Sequence, residues 1–136
     1  FAWCNGDATI EVEKEKEEFC GWCLRTISDI VDLFIEKYNQ VFDEHVTETM
    51  AKVPGFKEWY LERILSDTAG VAGLESIRRT VGMANVIDIT TISDEEKRAR
   101  AEKIIITLAK NYIMNRRSFR CGADYLNAIK EATGKF

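Results

Sequence analysis

Apolar positions recur every three or four residues along most of the chain, the period of a helix with one buried face. From Glu11 to about Glu48, the positions Phe19, Cys23, Ile27, Ile30, Phe34, Tyr38 and Val41 form a stripe. Cys20, Leu24, Val31, Ile35 and Phe42 widen it, so the spacing predicts one long helix with a broad buried side. The acidic run Glu11 to Glu18 suits the positive end of the helix dipole and reads as a solvated first turn. Ahead of it, Gly6 and Asp7 predict a turn, and the short alternation at residues 8–12 is the only period-two signal. Pro54-Gly55 breaks the pattern, after which Phe56, Trp59, Tyr60, Ile64 and Leu65 predict an aromatic-rich helical face with Trp59 and Tyr60 in the core. The stretch from Asp67 to Asp88 reads as a further helix. Ser93-Asp94-Glu95-Glu96 has the spacing of a capping box and predicts a helix to about Asn115. That helix would bury Ala101, Ile104, Ile105, Leu108, Ala109 and Tyr112 and leave Lys97, Arg98, Arg100 and Lys110 wet. A last helix is expected from about Gly122 to Ala132, buried through Tyr125, Leu126 and Ile129 and closed by Gly134.

These patterns predict an all-α fold. With 136 residues, 46% of them hydrophobic, the natural reading is a single helical domain over 1–136 or one lobe of a larger protein. The net charge of −4, with both signs interspersed, argues against nucleic acid as a partner, because a general binder needs a basic face to neutralise phosphates. No apolar run reaches membrane-spanning length, so a soluble chain without a membrane partner is expected. Four cysteines at this size fit a reducing, cytoplasmic compartment better than a secreted disulfide scaffold. The chain starts Phe1-Ala-Trp-Cys4 rather than with methionine. This tetrapeptide reads as the last turn of a helix already under way, and a fragment is therefore expected.

Cys20-Gly-Trp-Cys23 has the spacing of redox and zinc motifs, and Cys4 with Cys121 would complete a tetrahedral set. The pair falls inside a helical stripe, however, and reads as buried structural thiols. His45 is the only histidine and suits the negative end of a helix better than a catalytic role. Between Asp67 and Asp88, glycines at 70, 73 and 82 surround the pair Arg78-Arg79. Each glycine in a helix interior costs roughly 1 kcal/mol relative to alanine, so a neighbour or a ligand closer than a Cβ allows is expected there. Arg79 lies one turn after Glu75 and can form an ordinary ion pair. Arg78 follows Leu74 and Val71, and its charge calls for a partner that its own helix does not supply. An anion is the ligand class this pair suggests.

The segment Phe56-Lys-Glu-Trp-Tyr-Leu-Glu-Arg-Ile-Leu-Ser-Asp-Thr-Ala-Gly-Val-Ala-Gly73, continued by Ser76-Ile-Arg-Arg-Thr-Val-Gly-Met-Ala-Asn-Val-Ile-Asp-Ile-Thr-Thr-Ile92, resembles the C-terminal region of the 5-methylthioribose kinases. A weaker likeness runs from Asp94 to Lys130, through the alternation Arg98-Ala-Arg-Ala-Glu102, and back over Phe1 to Asp7. The resemblance implies the helical C-terminal subdomain of a protein-kinase-like fold, of the branch shared with aminoglycoside and choline phosphotransferases. It implies a parent enzyme of methionine salvage that moves the γ-phosphoryl of ATP to the 1-hydroxyl of methylthioribose with Mg²⁺, and that is often a homodimer. The family's paired arginines, associated with the sugar and its incoming phosphate, match Arg78 and Arg79. At Asn85 the family usually carries histidine, so no role carries over to that side chain. Between Phe1 and Phe136 there is no glycine-rich strand pair, strand lysine, His-Gly-Asp loop or Asp-Pro-Glu metal ligand. The chain alone is therefore expected neither to bind ATP tightly nor to phosphorylate the sugar, and no metal or cofactor site is assigned within it. The alternative is a free-standing helical protein-interaction module. A piece of a larger lobe would expose an apolar face, whereas a module would close its core.

Overall fold

The computed structural model describes residues 13–136, and the expectations for residues 1–12, including Cys4 and the Gly6/Asp7 turn, lie outside them. Five α-helices follow in chain order among the described residues: α1 (Glu13–His45), α2 (Phe56–Val81), the single turn α3 (Ile87–Thr90), α4 (Glu95–Met114) and α5 (Gly122–Thr133). Short 3₁₀ turns at Thr49–Lys52 and Arg116–Ser118 lead into α2 and α5, and no strand occurs among the described residues. The fold is all-α.

α2 packs along α4, and α1 lies against α5. Gly73 makes the first contact possible, because a Cβ there would sit 2.7 Å from the Ala109 carbonyl oxygen and 2.8 Å from Ile113 Cγ1. Gly70, by contrast, would bring a Cβ only to ordinary contact with Arg116, 3.6 Å from its Cδ. Gly122 does for α1 and α5 what Gly73 does for α2 and α4: its Cβ position is occupied by Ser28, whose Cα lies at 2.6 Å. The Gly122 amide then donates to Asp32 Oδ1 at 2.8 Å and ties the start of α5 to the middle of α1. Asp124 completes that helix start, accepting the backbone amides of Arg120 at 2.7 Å and Cys121 at 3.0 Å. These bonds, the Arg120 amide foremost, hold the Asp124 carboxyl below its usual range.

The core has two centres. Ala69, Tyr112, Phe119, Tyr125 and Ala128 form one, with Tyr112 edge-on to Phe119 at 5.0 Å between ring centroids. Ile89, Ile92 and Ala101 form the other, with Val86 and Ile105 beside them, and fasten α3 to α4. At the joint between α1 and α2 a ladder of rings runs from Tyr38 to Phe42, Phe56 and Tyr60. Tyr60 stacks on Phe56 at 5.8 Å, and Tyr38 donates to the Lys57 carbonyl at 3.1 Å. Lys57 also reaches Asp43 at 2.7 Å. Gly55, at φ +82°, turns the chain into α2.

The structure departs from the sequence reading in several places. α1 stops at His45, not Glu48, and its apolar stripe is not buried. Phe19, Ile27, Ile30, Leu33, Phe34 and Val41 face outward, Ile30 at 64% exposure, because α5 and the start of α2 cover only the side holding Leu24, Val31, Ile35 and Tyr38. Trp59 and Tyr60 stand half out of the protein at 52% and 46%, on the ring ladder and not in the core. The aromatic and arginine segments form one continuous helix, which ends at Val81. Gly82 caps it in an extended conformation, and the chain resumes helical form only at Ile87. The N-cap of α4 is Asp94, not Ser93, its carboxylate accepting the amides of Glu96 and Lys97. Arg98 and Arg100 are half-buried, not wet. Arg100 donates from Nε to the Phe136 carbonyl at 3.0 Å.

Candidate functional site

The last turn of α2, the 82–86 loop, α3 and the first turns of α4 line a half-open cavity of about 210 Å³. Its walls are Arg79 and Thr80 from α2, Asn85 from the loop, Ile89 and Thr90 from α3, and Arg98 and Glu102 from α4. Burial of Ile89 against Ala101 and Ile92 sets the floor. Thr80 donates to Ser76 O at 2.7 Å and Thr90 to Val86 O at 3.3 Å, so both hydroxyls present acceptor lone pairs to the space beyond their own helices.

The two predicted arginines diverge, as helical neighbours about 100° apart must. Arg79 stands on the cavity wall; Arg78 does not. The partner that Arg78 was expected to lack comes from its own helix. Its Nε donates to Glu75 Oε1 at 3.0 Å and its Nη2 to Oε2 at 2.7 Å, a two-pronged fork across one turn. Arg79 shares the same carboxylate only through Nε, at 3.4 Å, which leaves its terminal amino groups open. The Arg78 hydrogen bonds hold the Glu75 carboxyl below its ordinary range, and Glu75 in turn raises the Arg78 guanidinium. Across the cavity, Arg98 and Glu102 lie one turn apart on α4. Sequence reasoning treated Arg98 as a solvated residue; the signal for it lay in the Arg98-Ala-Arg-Ala-Glu102 alternation, where small residues alternate with charges at the start of a helix.

The remaining candidates lie elsewhere. His45 ends α1, 3.6 Å from Glu44 and exposed. Cys23 and Cys121 are free, half-buried thiols, whereas Cys20 is disulfide-bonded and so is not the buried thiol its stripe position predicted. Among the described residues, no three histidine, cysteine or carboxylate side chains converge as metal ligands, and no helix is long and apolar enough to cross a membrane.

Fold and cavity together define an all-helical unit carrying a small basic cavity at one end of a helix pair. No family model matches the chain. It is 33% identical over 91 residues to the methylthioribose kinase of Enterobacter sp. (strain 638), covering 67% of this chain and 23% of that protein. It is 35% identical over 85 residues to the methylthioribose kinase of Geobacillus sp. (strain WCH70), covering 62% of this chain and 21% of that protein. With methylthioribose kinase 1 of Oryza sativa subsp. japonica it shares 27% over 129 residues, 87% of this chain and 30% of that one. The chain is thus a relative of bacterial and plant methylthioribose kinases, and it spans between a fifth and a third of the length of these three. The resemblance read from residues 56–92 stands.

Proposed function

We propose that residues 1–136 are a single helical unit from the C-terminal part of the larger lobe of a methylthioribose kinase with a protein-kinase-like fold. The full-length protein then transfers the γ-phosphoryl of ATP to the 1-hydroxyl of methylthioribose, with Mg²⁺, in methionine salvage. The similarity to proteins named for this reaction carries the reading. In phosphoryl transfer the protein chiefly positions groups and neutralises charge on the transferred oxygens, and arginine's rigid fork of donors suits that work better than a lysine. Arg78 and Arg79 are the substrate-contacting residues of this segment. Arg79 meets the sugar in the cavity with its open amino groups, while Arg78, clamped to Glu75, fixes the charge balance at the helix end. ATP and Mg²⁺ are held by parts of the protein outside this segment. The partner is a small sugar and not nucleic acid, and the parent acts in the cytoplasm, where self-association into a dimer is open to it.

The outward apolar side of α1 supports membership of a larger lobe, since a surface of that kind in a finished protein covers something. A free-standing interaction module would instead close its core, and one assay separates the two readings. The full-length protein, given ATP, Mg²⁺ and methylthioribose, should yield methylthioribose 1-phosphate, and the 136-residue chain alone should yield none. No product from the folded full-length protein would overturn the kinase reading.

A further inference from the structure

We infer that Arg98 is a further anion-binding residue of the cavity, so that a guanidinium from α4 meets the ligand opposite the arginine pair of α2. The inference rests on the proposed function for the ligand being a sugar that gains a phosphate. The cavity itself is observed independently of that reading.

Three observations carry it. Arg98 lines the cavity together with Arg79, and it is half-buried where most surface arginines are wet. Its guanidinium makes no ion pair or hydrogen bond among the described residues. Of the arginines outside the cavity, Arg78 pairs with Glu75, Arg120 with Glu62 at 3.0 Å and Arg116 with Asp67 at 3.8 Å, while Arg25, Arg63 and Arg117 stand exposed in water. The five donors of Arg98 are left to water in the open pocket, and a ligand that supplies charged oxygens can replace that water with charge-assisted hydrogen bonds. Glu102 is the third observation. It sits one turn beyond Arg98 at i,i+4, a spacing at which the two would ordinarily pair, yet no salt bridge joins them. The cavity therefore presents the unpaired Arg98, the terminal amino groups that Arg79 leaves free beside its long contact to Glu75, and one open carboxylate. A phosphate monoester of a polyol satisfies all three: its oxygens bridge Arg79 and Arg98, and a sugar hydroxyl donates to Glu102. At about 210 Å³ the space is smaller than the roughly 300–1,000 Å³ of sites for drug-sized ligands and is large enough for a phosphate with part of one sugar ring.

The test uses inorganic phosphate and ribose 5-phosphate as probes, titrated by calorimetry into the full-length protein, beside Arg98→Ala and Arg98→Gln. Each variant should bind both probes at least about tenfold more weakly, the loss expected when charge-assisted hydrogen bonds disappear. Thermal melts identify which variants are folded, and Gln, which keeps much of the side-chain length, guards against collapse of the Ala variant. Wild-type affinity in either folded variant, or no binding of either probe to the unmutated protein, overturns the inference. The kinase assay separates this failure from that of the proposed function. Turnover of methylthioribose with phosphate binding indifferent to Arg98 removes only the inference, and Arg98-dependent binding without turnover removes only the kinase reading.

Discussion

Glu75 decides what its two arginine neighbours are free to do. Because its carboxylate takes two hydrogen bonds from Arg78 and one long one from Arg79, the pair is unequal. In the full-length enzyme, Arg79→Ala should raise the KM for the sugar by about tenfold or more. Arg78→Ala should have a smaller effect, and steady-state kinetics on both variants would reveal equal losses if the asymmetry were absent. Asp124 offers a second test at this scale. Replacing it with Ala removes the acceptor for two backbone amides at the start of α5 and should lower stability by about 1 kcal/mol in denaturant titrations. Its folded-state pKa is lowered, so its contribution is complete above the ordinary carboxylate range and fades as pH falls through the lower folded value. The variant's stability deficit should therefore shrink in acid. The arginine pair was legible as a charge anomaly, but which arginine faces the cavity was not. That depends on where α2 ends and on competition for one carboxylate three or four residues back, neither of which a residue count resolves.

Helix-to-helix contacts turn on single missing methyl groups. Gly73→Ala places a Cβ against the Ala109 carbonyl and should destabilise the protein by about 1–3 kcal/mol. Gly70→Ala, three residues earlier on the same helix, meets only the flexible Arg116 side chain and should stabilise by about 0.4–1 kcal/mol. Melting curves for the two variants should move in opposite directions; a common direction would contradict the packing described for α2 and α4. The glycines at 70, 73 and 82 looked alike in sequence, and the reason they differ is tertiary: one faces a backbone, one a pliable side chain, and one closes the helix. Local rules found the helices themselves, through apolar spacing and the Pro54-Gly55 break. They erred at boundaries, choosing Ser93 over Asp94 as a cap and extending α2 past Gly82, because caps depend on the angle at which the next element leaves.

At the scale of the molecule, periodicity predicted that α1 has an apolar side but not that most of it would remain uncovered, since what covers a helix is decided by elements distant in sequence. The 136-residue chain alone should bind a hydrophobic dye or self-associate. Ile30→Lys combined with Leu33→Glu, both on the outward side, should reduce that binding while leaving the helical circular dichroism unchanged. Dye binding that persists would trace the exposed surface to somewhere other than α1. The ring ladder at the α1–α2 joint has an optical consequence. Tyr60 lies 6.5 Å from Tyr38 and Phe56 6.4 Å from Phe42 across that joint, so the near-ultraviolet signal of these rings depends on how the two helices meet. The fold thus carries a built-in gauge: loosening of α1, by dilution, truncation or a variant, would change the near-ultraviolet signal of the rings that meet across the joint.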